Sequence, residues 1–169
     1  WRRGAGAEQG LLPEWRFLGC GSSLRRDQRR FPEALDLIDR ARAAAPQEAV
    51  ASILMKKATV LEQLGEAERA IEVLREAAPL VRQPRLAFVL RFNLTVNFCH
   101  LGRYEEAQVW MCQVREHAKE LRKKLDLVRV LWLEGKMAAG LGRVSEARAI
   151  FEQVRHEFAT HDMAYDYAL

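Results

Sequence analysis

The most chemically suggestive spacing in the sequence is that of Arg129, Trp132 and Lys136, at i, i+3 and i+7, which places all three on one face of a helix. An aromatic ring between two cations can stack on a ligand while the charges hold a carboxylate or a phosphate. The same spacing is also typical of a tryptophan that fills the core while solvent surrounds the two cations. The sequence leaves both interpretations open.

A second stripe of polar side chains consists of Asn93, Asn97 and His100, at i, i+4 and i+7 of an otherwise apolar segment. Asparagine is a mediocre helix former, so two on one stripe need a reason. One hypothesis is that their amides, which offer both a donor and an acceptor, pair with the backbone of an extended peptide. The other is that they hydrogen-bond a neighbouring helix.

Arrangements typical of catalysis or of a metal site are not evident in the sequence. Cys99 and His100 are adjacent on a helix and point about 100° apart, and Cys112 and His117 are five residues apart and also lie on different faces. Zinc requires several ligands that converge at short, regular separations. We therefore expect no metal, no cofactor and no enzymatic activity from this chain.

The bulk composition is that of a helical globular protein. The chain has 169 residues, of which 49% are hydrophobic and 30% charged, and a net charge of +4 that is spread along the chain. We therefore expect no direct contact with nucleic acid. Its uncharged stretches are shorter than the roughly 20 residues that span a bilayer, so no membrane partner is expected. Three cysteines, an odd number without paired spacing, favour a cytoplasmic location.

A sequence repeat organises the chain into helical hairpins. "LGEAERAIEVL", "LGRYEEAQVWM" and "LGRVSEARAIF" begin at Leu64, Leu101 and Leu141. Each copy has a glycine at its second position, an alanine five residues later and a large apolar residue nine residues later, and a small residue stands seven before the glycine. The positions five and nine after the glycine lie on one face of the second helix, the small residue seven before it belongs to the first helix, and the glycine supplies the left-handed conformation that ends the first helix. Each copy is therefore predicted to be an antiparallel helical hairpin with a short turn.

A fourth copy, around Ala34, lacks the glycine, but Pro32 is well placed to begin its helix. Its partner helix, near Trp15–Gln28, has a poor pattern and is predicted to be short, irregular or displaced. We therefore divide the chain into an irregular N-terminal segment with a degenerate helix at 1–29 and a repeat array at 30–169. The array comprises a half unit at 31–46, hairpins at about 48–82, 85–124 and 126–159, and the start of a further helix at 161–169.

The matched alanines are 36, 37 and 40 residues apart, a period typical of stacked hairpins that bury their apolar faces against one another. Leu64–Ala70, Leu101–Ala107 and Leu141–Ala147 resemble the tetratricopeptide repeat family, whose unit is about 34 residues. The longer units are similar to extended repeats of bacterial regulatory and peptide-sensing proteins. The resemblance implies an all-α solenoid of antiparallel hairpins wound into a right-handed superhelix.

In such an array the first helix of each hairpin lines the concave surface, where side chains are available to a partner. The residues predicted to bind a partner there are Met55, Thr59, Glu62, Phe92, Asn93, Asn97, His100, Arg129, Trp132 and Lys136. The sequence thus predicts a non-enzymatic scaffold for a protein or peptide. The alternative is a ligand-sensing segment of a larger bacterial regulator, with its DNA-binding or effector domain outside this chain. The last residues, with Met163 and Tyr167 packed on Val144–Ala159, are expected to leave an apolar end able to self-associate.

Overall fold

The computed structural model describes residues 12–160, and within that range the chain forms eight α-helices and no β-strand. The helices are α1 Glu14–Asp27, α2 Phe31–Ala44, α3 Gln47–Gln63, α4 Ala67–Ala77, α5 Pro84–His100, α6 Tyr104–Leu121, α7 Lys124–Gly140 and α8 Val144–Thr160. A 3₁₀ turn, Ala78–Leu80, follows α4. The further helix predicted at 161–169, with Met163 and Tyr167, lies outside the described residues.

The helices pack as four consecutive hairpins, α1 with α2, α3 with α4, α5 with α6, and α7 with α8. Each hairpin contacts the next through its second helix, and the first helices α3, α5 and α7 also touch one another in series. Most of the buried side chains of α3–α7 belong to one continuous apolar cluster. The chain is an all-α solenoid of antiparallel helical hairpins, which confirms the predicted fold class.

Three of the hairpin turns use a glycine in the left-handed region, as the repeat predicts. Gly65, Gly102 and Gly142 have φ angles of 81°, 70° and 76°. In each turn the amide of the residue after the glycine donates to a carbonyl five residues earlier, as in the 2.9 Å bond from Arg103 N to Phe98 O. This bond pattern satisfies carbonyls that the end of a helix otherwise leaves unpaired. The glycines therefore fix where each first helix stops.

The first hairpin makes the same turn without a glycine. Arg29 occupies the matched position with a φ of 59°, and the Arg30 amide donates to the Arg25 carbonyl at 2.8 Å. A side chain with a Cβ adopts this conformation only at an energetic cost, of about 1 kcal/mol. Helices α1 and α2 therefore form a complete hairpin rather than the half unit predicted at 31–46.

The prediction of a short, irregular or displaced helix near Trp15–Gln28 was wrong. Helix α1 is regular, has 14 residues and packs along α2. Ser22, at a position where the other repeats also have a small residue, is buried and donates its hydroxyl to the Gly19 carbonyl at 2.8 Å. Because this bond satisfies the hydroxyl inside the helix, a polar residue is tolerated at the contact.

Successive first helices are also joined by an ion pair. The carboxylate of Asp126 in α7 is almost fully buried, and it accepts a hydrogen bond from the guanidinium of Arg85 in α5. A buried carboxylate requires such a partner, so this pair fixes the position of α7 relative to α5 near their N-terminal ends. In the range 12–160 every helix is too short or too polar to cross a membrane.

Candidate functional site

A groove of about 740 Å³ lies on the side where the first helices meet. Four helices, α3, α5, α7 and α8, contribute to it, so three successive repeats form one surface. Its lining residues, which we call the groove residues, are Glu62, Phe92, Asn93, Val96, Arg129, Trp132, Phe151, Val154, Arg155 and Phe158. The lining is mostly apolar, with two arginines and one glutamate.

Helix α5 supplies the centre of the groove because it is apolar on nearly every side. Phe88, Leu94 and Phe98 are buried in the core, whereas Phe92 and Asn93 are half-buried and line the groove. A helix that is apolar all round is expected where neighbours cover most of its surface. The part that no helix covers becomes the apolar floor of the groove.

The two predicted asparagines have different environments. Asn93 is a groove residue. Asn97 is fully buried, and its side-chain amide donates to the Asn93 carbonyl of the same helix at 2.8 Å, which corresponds to neither of the two hypotheses for this stripe. The Oδ1 atom of Asn97 has no hydrogen-bond partner within residues 12–160. Of the two asparagines, Asn93 is therefore the one available to a ligand.

The third member of the stripe, His100, lies against Lys136 of α7. The Lys136 ammonium donates to His100 Nε2 and also lies 5.2 Å from the centre of the Trp132 ring. The predicted Trp132 and Lys136 thus contact each other, and Trp132 combines both roles proposed for it, since it packs against the core and also lines the groove. Arg129, one turn before Trp132, is exposed and lines the groove as well.

A cluster of ionisable groups, formed by Glu62, Cys99, His100 and Lys136, lies next to the groove. Partial burial raises the pKa of Glu62, and the Lys136 charge opposes this effect. Burial lowers the pKa of Lys136, opposed by Glu62 and Cys99. Burial and then the Lys136 charge lower the pKa of His100, whereas burial raises the pKa of the Cys99 thiol to about 11. These shifts favour a neutral imidazole that accepts the lysine hydrogen bond.

The remaining predicted residues, on α3, are less accessible than expected. Met55 is buried in the core. Thr59 is half-buried and donates its hydroxyl to the Met55 carbonyl of its own helix at 3.0 Å. Only Glu62 of this helix lines the groove. Helix α3 therefore contributes one charged side chain rather than a continuous binding surface.

Sequence reasoning missed the contribution of α8. Phe151, Val154, Arg155 and Phe158 line the groove, although only first helices were predicted to do so. A signal was present, because Phe151, Val154 and Phe158 share one face of α8 at i, i+3 and i+7. Along residues 12–160 no group of three or more histidine, cysteine or acidic side chains has a geometry that could hold a metal ion.

Comparison with known proteins agrees with this architecture. Residues 51–78, which cover most of the α3–α4 hairpin, match the family described as tetratricopeptide repeat. A solved Rap protein, crystallised in complex with competence and sporulation factor, superposes with a TM-score of 0.80 at 20% identity over 92% of this chain. Residues 51–78 thus match one tetratricopeptide repeat, and the chain as a whole has a fold similar to that of the Rap protein.

A second solved structure with a similar fold is aspartyl phosphate phosphatase F from Bacillus subtilis. It superposes with a TM-score of 0.73 at 15% identity over 89% of this chain. The array spans 46% of the Rap protein and 41% of the phosphatase, less than half of each. No curated protein matches the sequence significantly. At these identities the superpositions establish the fold.

Proposed function

We propose that the tetratricopeptide-repeat array is a non-enzymatic scaffold that binds a peptide, or an extended segment of a protein, in the groove. The observation that carries this proposal is the continuity of the groove across α3, α5, α7 and α8. A surface built from three repeats suits a ligand that is long and narrow. A volume of about 740 Å³ is within the usual range of ligand sites, roughly 300–1,000 Å³.

The lining residues suit the chemistry of a peptide. Phe92, Trp132 and Phe158 offer apolar area, and burial of one large apolar side chain of a ligand contributes about 1.5–3 kcal/mol. Asn93 offers a donor and an acceptor to a ligand backbone. Association itself costs several kcal/mol, so two apolar anchors need additional polar contacts for binding. Asn93 and the charged groove residues would supply those contacts.

The similarity in fold adds support. The Rap protein that superposes on this chain was crystallised as a complex with competence and sporulation factor, so a scaffold of this shape is compatible with bound partners. A rigid stack of hairpins also keeps its binding surface formed in the absence of ligand, which limits the entropy lost on binding. A cytoplasmic location remains part of the proposal.

The direct test is selection of peptides on the full chain, followed by affinity measurement with groove variants. Peptides from a random phage library would be synthesised with a fluorophore and titrated by fluorescence anisotropy. Phe92→Ala and Asn93→Ala are each expected to weaken binding by about 10-fold, the equivalent of about 1.4 kcal/mol. The matched control is Val109→Ala, since Val109 is 66% exposed on α6 and is not a groove residue.

Peptides that bind all three variants with unchanged affinity would show that the groove is not the binding site. Circular dichroism of each variant checks that the helices are intact. Loss of affinity in Val109→Ala alone would move the site to the outer helices. Each of these results contradicts the proposal.

The alternative function, a ligand-sensing segment of a larger bacterial regulator, is favoured by one observation. The array spans less than half of each solved protein that it resembles. In a sensor, occupation of the groove would change the curvature of the array, which X-ray scattering with and without a selected peptide would detect. A helix-turn-helix pattern in the parent reading frame would also favour this function over that of a simple scaffold.

Self-association through the last described hairpin is a further proposal. Val144 is 67% exposed and Phe151 37% exposed on α8, and exposed apolar area of this kind favours contact between chains. Sedimentation equilibrium of the wild type and of Val144→Ser would test it. A monomer at all concentrations for both proteins would refute self-association.

A further inference from the structure

Helix α1 presents an apolar stripe to solvent. Phe17, Cys20 and Leu24, which we call the α1 stripe, lie on one face of the helix at i, i+3 and i+7. Phe17 is 71% exposed and Leu24 56% exposed, and Cys20 is exposed as well. Residues spaced alternately by three and four are typical of a seam along which two helices pack. The stripe therefore has the pattern of a helix–helix contact, although no helix of residues 12–160 covers it.

The other repeats bury the side chains at the matching positions. Six residues stand at the same offsets from the hairpin turn as Phe17 and Leu24, namely Ile53, Leu90, Val130, Val60, Asn97 and Met137. All six are buried. Ile53 and Val60 of α3, for example, belong to an apolar cluster that includes side chains of α2, the second helix of the preceding hairpin. The α1 stripe is thus the surface on which a preceding helix would stack in this array.

A second copy of α1 can take the place of that preceding helix. Only residues 45–46 separate α2 from α3, so the two helices run antiparallel, and a two-fold axis perpendicular to α1 gives the same antiparallel arrangement. With this axis beside Cys20, Phe17 lies three residues before it and Leu24 four residues after it. Because each residue advances the helix by about 1.5 Å, each Phe17 lies almost directly opposite the partner's Leu24. The two Cys20 side chains then adjoin.

The charges of α1 complement this arrangement. Its first turn carries Glu14, and its last turn carries Arg25 and Arg26. Glu14 and Arg25 are 11 residues apart, which is about three helical turns, so both lie on the same side of the stripe. The two-fold axis brings like sides together with the ends reversed, and each Glu14 then lies near the partner's Arg25, which favours the pairing. A closed dimer of this kind covers both stripes at once.

We propose that two copies of this chain form an antiparallel, two-fold symmetric dimer through the α1 stripe. The inference is independent of ligand binding in the groove, and it uses the opposite end of the array from the self-association proposed for α8. A contact confined to one helix of 14 residues is smaller than the interfaces of permanent complexes. The dimer is therefore expected to dissociate on dilution.

Sedimentation equilibrium of the full chain over a range of concentrations measures the dimer. Phe17→Glu is expected to raise the dissociation constant at least about 10-fold, because it would bury a carboxylate against the partner's Leu24. The matched control is Val109→Glu, since Val109 is 66% exposed on α6. This control and Val144→Ser should dimerise like the wild type. Because Phe17 is exposed, its substitution is not expected to affect folding, and circular dichroism checks this.

Cross-linking tests the geometry of the contact. Copper phenanthroline would oxidise Cys112→Ser, in which the exposed cysteine is Cys20, and Cys20→Ser, in which it is Cys112. Since both cysteines are exposed and Cys99 is buried, random collisions would link the two variants at similar rates. The proposed axis holds the two Cys20 side chains together, so Cys112→Ser is expected to form a disulfide-linked dimer at least about 10-fold faster than Cys20→Ser.

Four outcomes overturn the inference. A monomer at all concentrations means that a second copy does not cover the stripe. A dimer that Phe17→Glu leaves intact forms through another surface, and loss of the dimer in Val144→Ser places that surface on α8. A dimer that Phe17→Glu disrupts, but in which Cys20 links no faster than Cys112, contradicts the antiparallel arrangement. All four leave the proposed function unaffected, because peptide binding tests it separately.

Discussion

Replacement of Gly135 by alanine tests how α7 and α8 are fitted together. Gly135 is buried in the middle of α7, where alanine would be the better helix former by about 1 kcal/mol. A Cβ at this position would lie 2.9 Å from Cε1 of Phe151 and 3.1 Å from Cγ2 of Ile150 in α8. The first of these distances is too short for two carbon atoms. The alanine therefore forces the Phe151 ring to move.

The magnitude follows from two opposing effects. Overpacking of one methyl group costs about 1–3 kcal/mol, and the gain in helix propensity offsets about 1 kcal/mol of it. Gly135→Ala is thus expected to lower the free energy of unfolding by about 1 kcal/mol. The cost will be at the lower end of the range if the ring swings outward, because Phe151 is 37% exposed.

The partner substitution is Phe151→Leu. In another repeat the positions matched to Gly135 and Phe151 hold Ala58 and Leu74. There the first helix has a larger residue than glycine, and the second helix has a smaller residue than phenylalanine. Leucine at 151 removes the shortest of the contacts at the added Cβ, so Gly135→Ala is expected to be less destabilising in the Phe151→Leu background than in the wild type. The coupling free energy between the two substitutions should be about 1–3 kcal/mol.

The assay is urea unfolding followed by circular dichroism for the wild type, both single variants and the double variant. The control is Gly19→Ala, because a Cβ at this buried helical position would meet no atom within 4 Å. That variant is expected to gain up to about 1 kcal/mol from helix propensity alone. A coupling below about 0.5 kcal/mol is within the range of independent sites and would refute the packing argument.

Three further predictions concern single residues. Arg29 has a φ of 59°, which glycine adopts more easily than a residue with a Cβ. Arg29→Gly is therefore expected to raise the free energy of unfolding by about 0.5–1 kcal/mol in urea titrations. A loss of stability would contradict the assigned turn. Because the pKa of His100 is lowered in the folded state, the unfolded state binds the proton first, and stability falls as the pH drops below about 6.5. His100→Gln should lose less stability than the wild type between pH 7 and pH 5, and equal losses would argue against the contact with Lys136. Cys99, buried and with a pKa of about 11, should react with a thiol reagent at pH 8 much more slowly than the two exposed cysteines, as Cys→Ser variants would show.

Much of the fold could be predicted from the sequence because it depends on local chemistry. The glycines at 65, 102 and 142 mark the turns since only a residue without a Cβ adopts a positive φ freely. The alanines five residues later are all buried, as their spacing indicates. The first hairpin was misjudged because Arg29 makes the same turn against its preference and Ser22 satisfies its own hydroxyl.

The groove could be predicted only in part. The positions of Phe92, Arg129 and Trp132 follow from their offsets from the glycines, and all three line the groove. Asn97 lies one turn from Asn93 on the same stripe but is fully buried. The sequence could not distinguish the two, because neighbouring helices cover one part of the stripe and leave another part open.

The sequence alone determined the helices of the three hairpins with a glycine turn, together with their pairing, since helical periodicity and left-handed turns are properties of short segments. Tertiary structure decided which side chains stay accessible. Asn93 and Asn97 lie one turn apart on α5, and the packing of neighbouring helices buries Asn97 and leaves Asn93 accessible. Packing also brought α8, with Arg155, to the edge of the groove. Contacts between segments distant in the sequence determine this arrangement, so no local pattern encodes it.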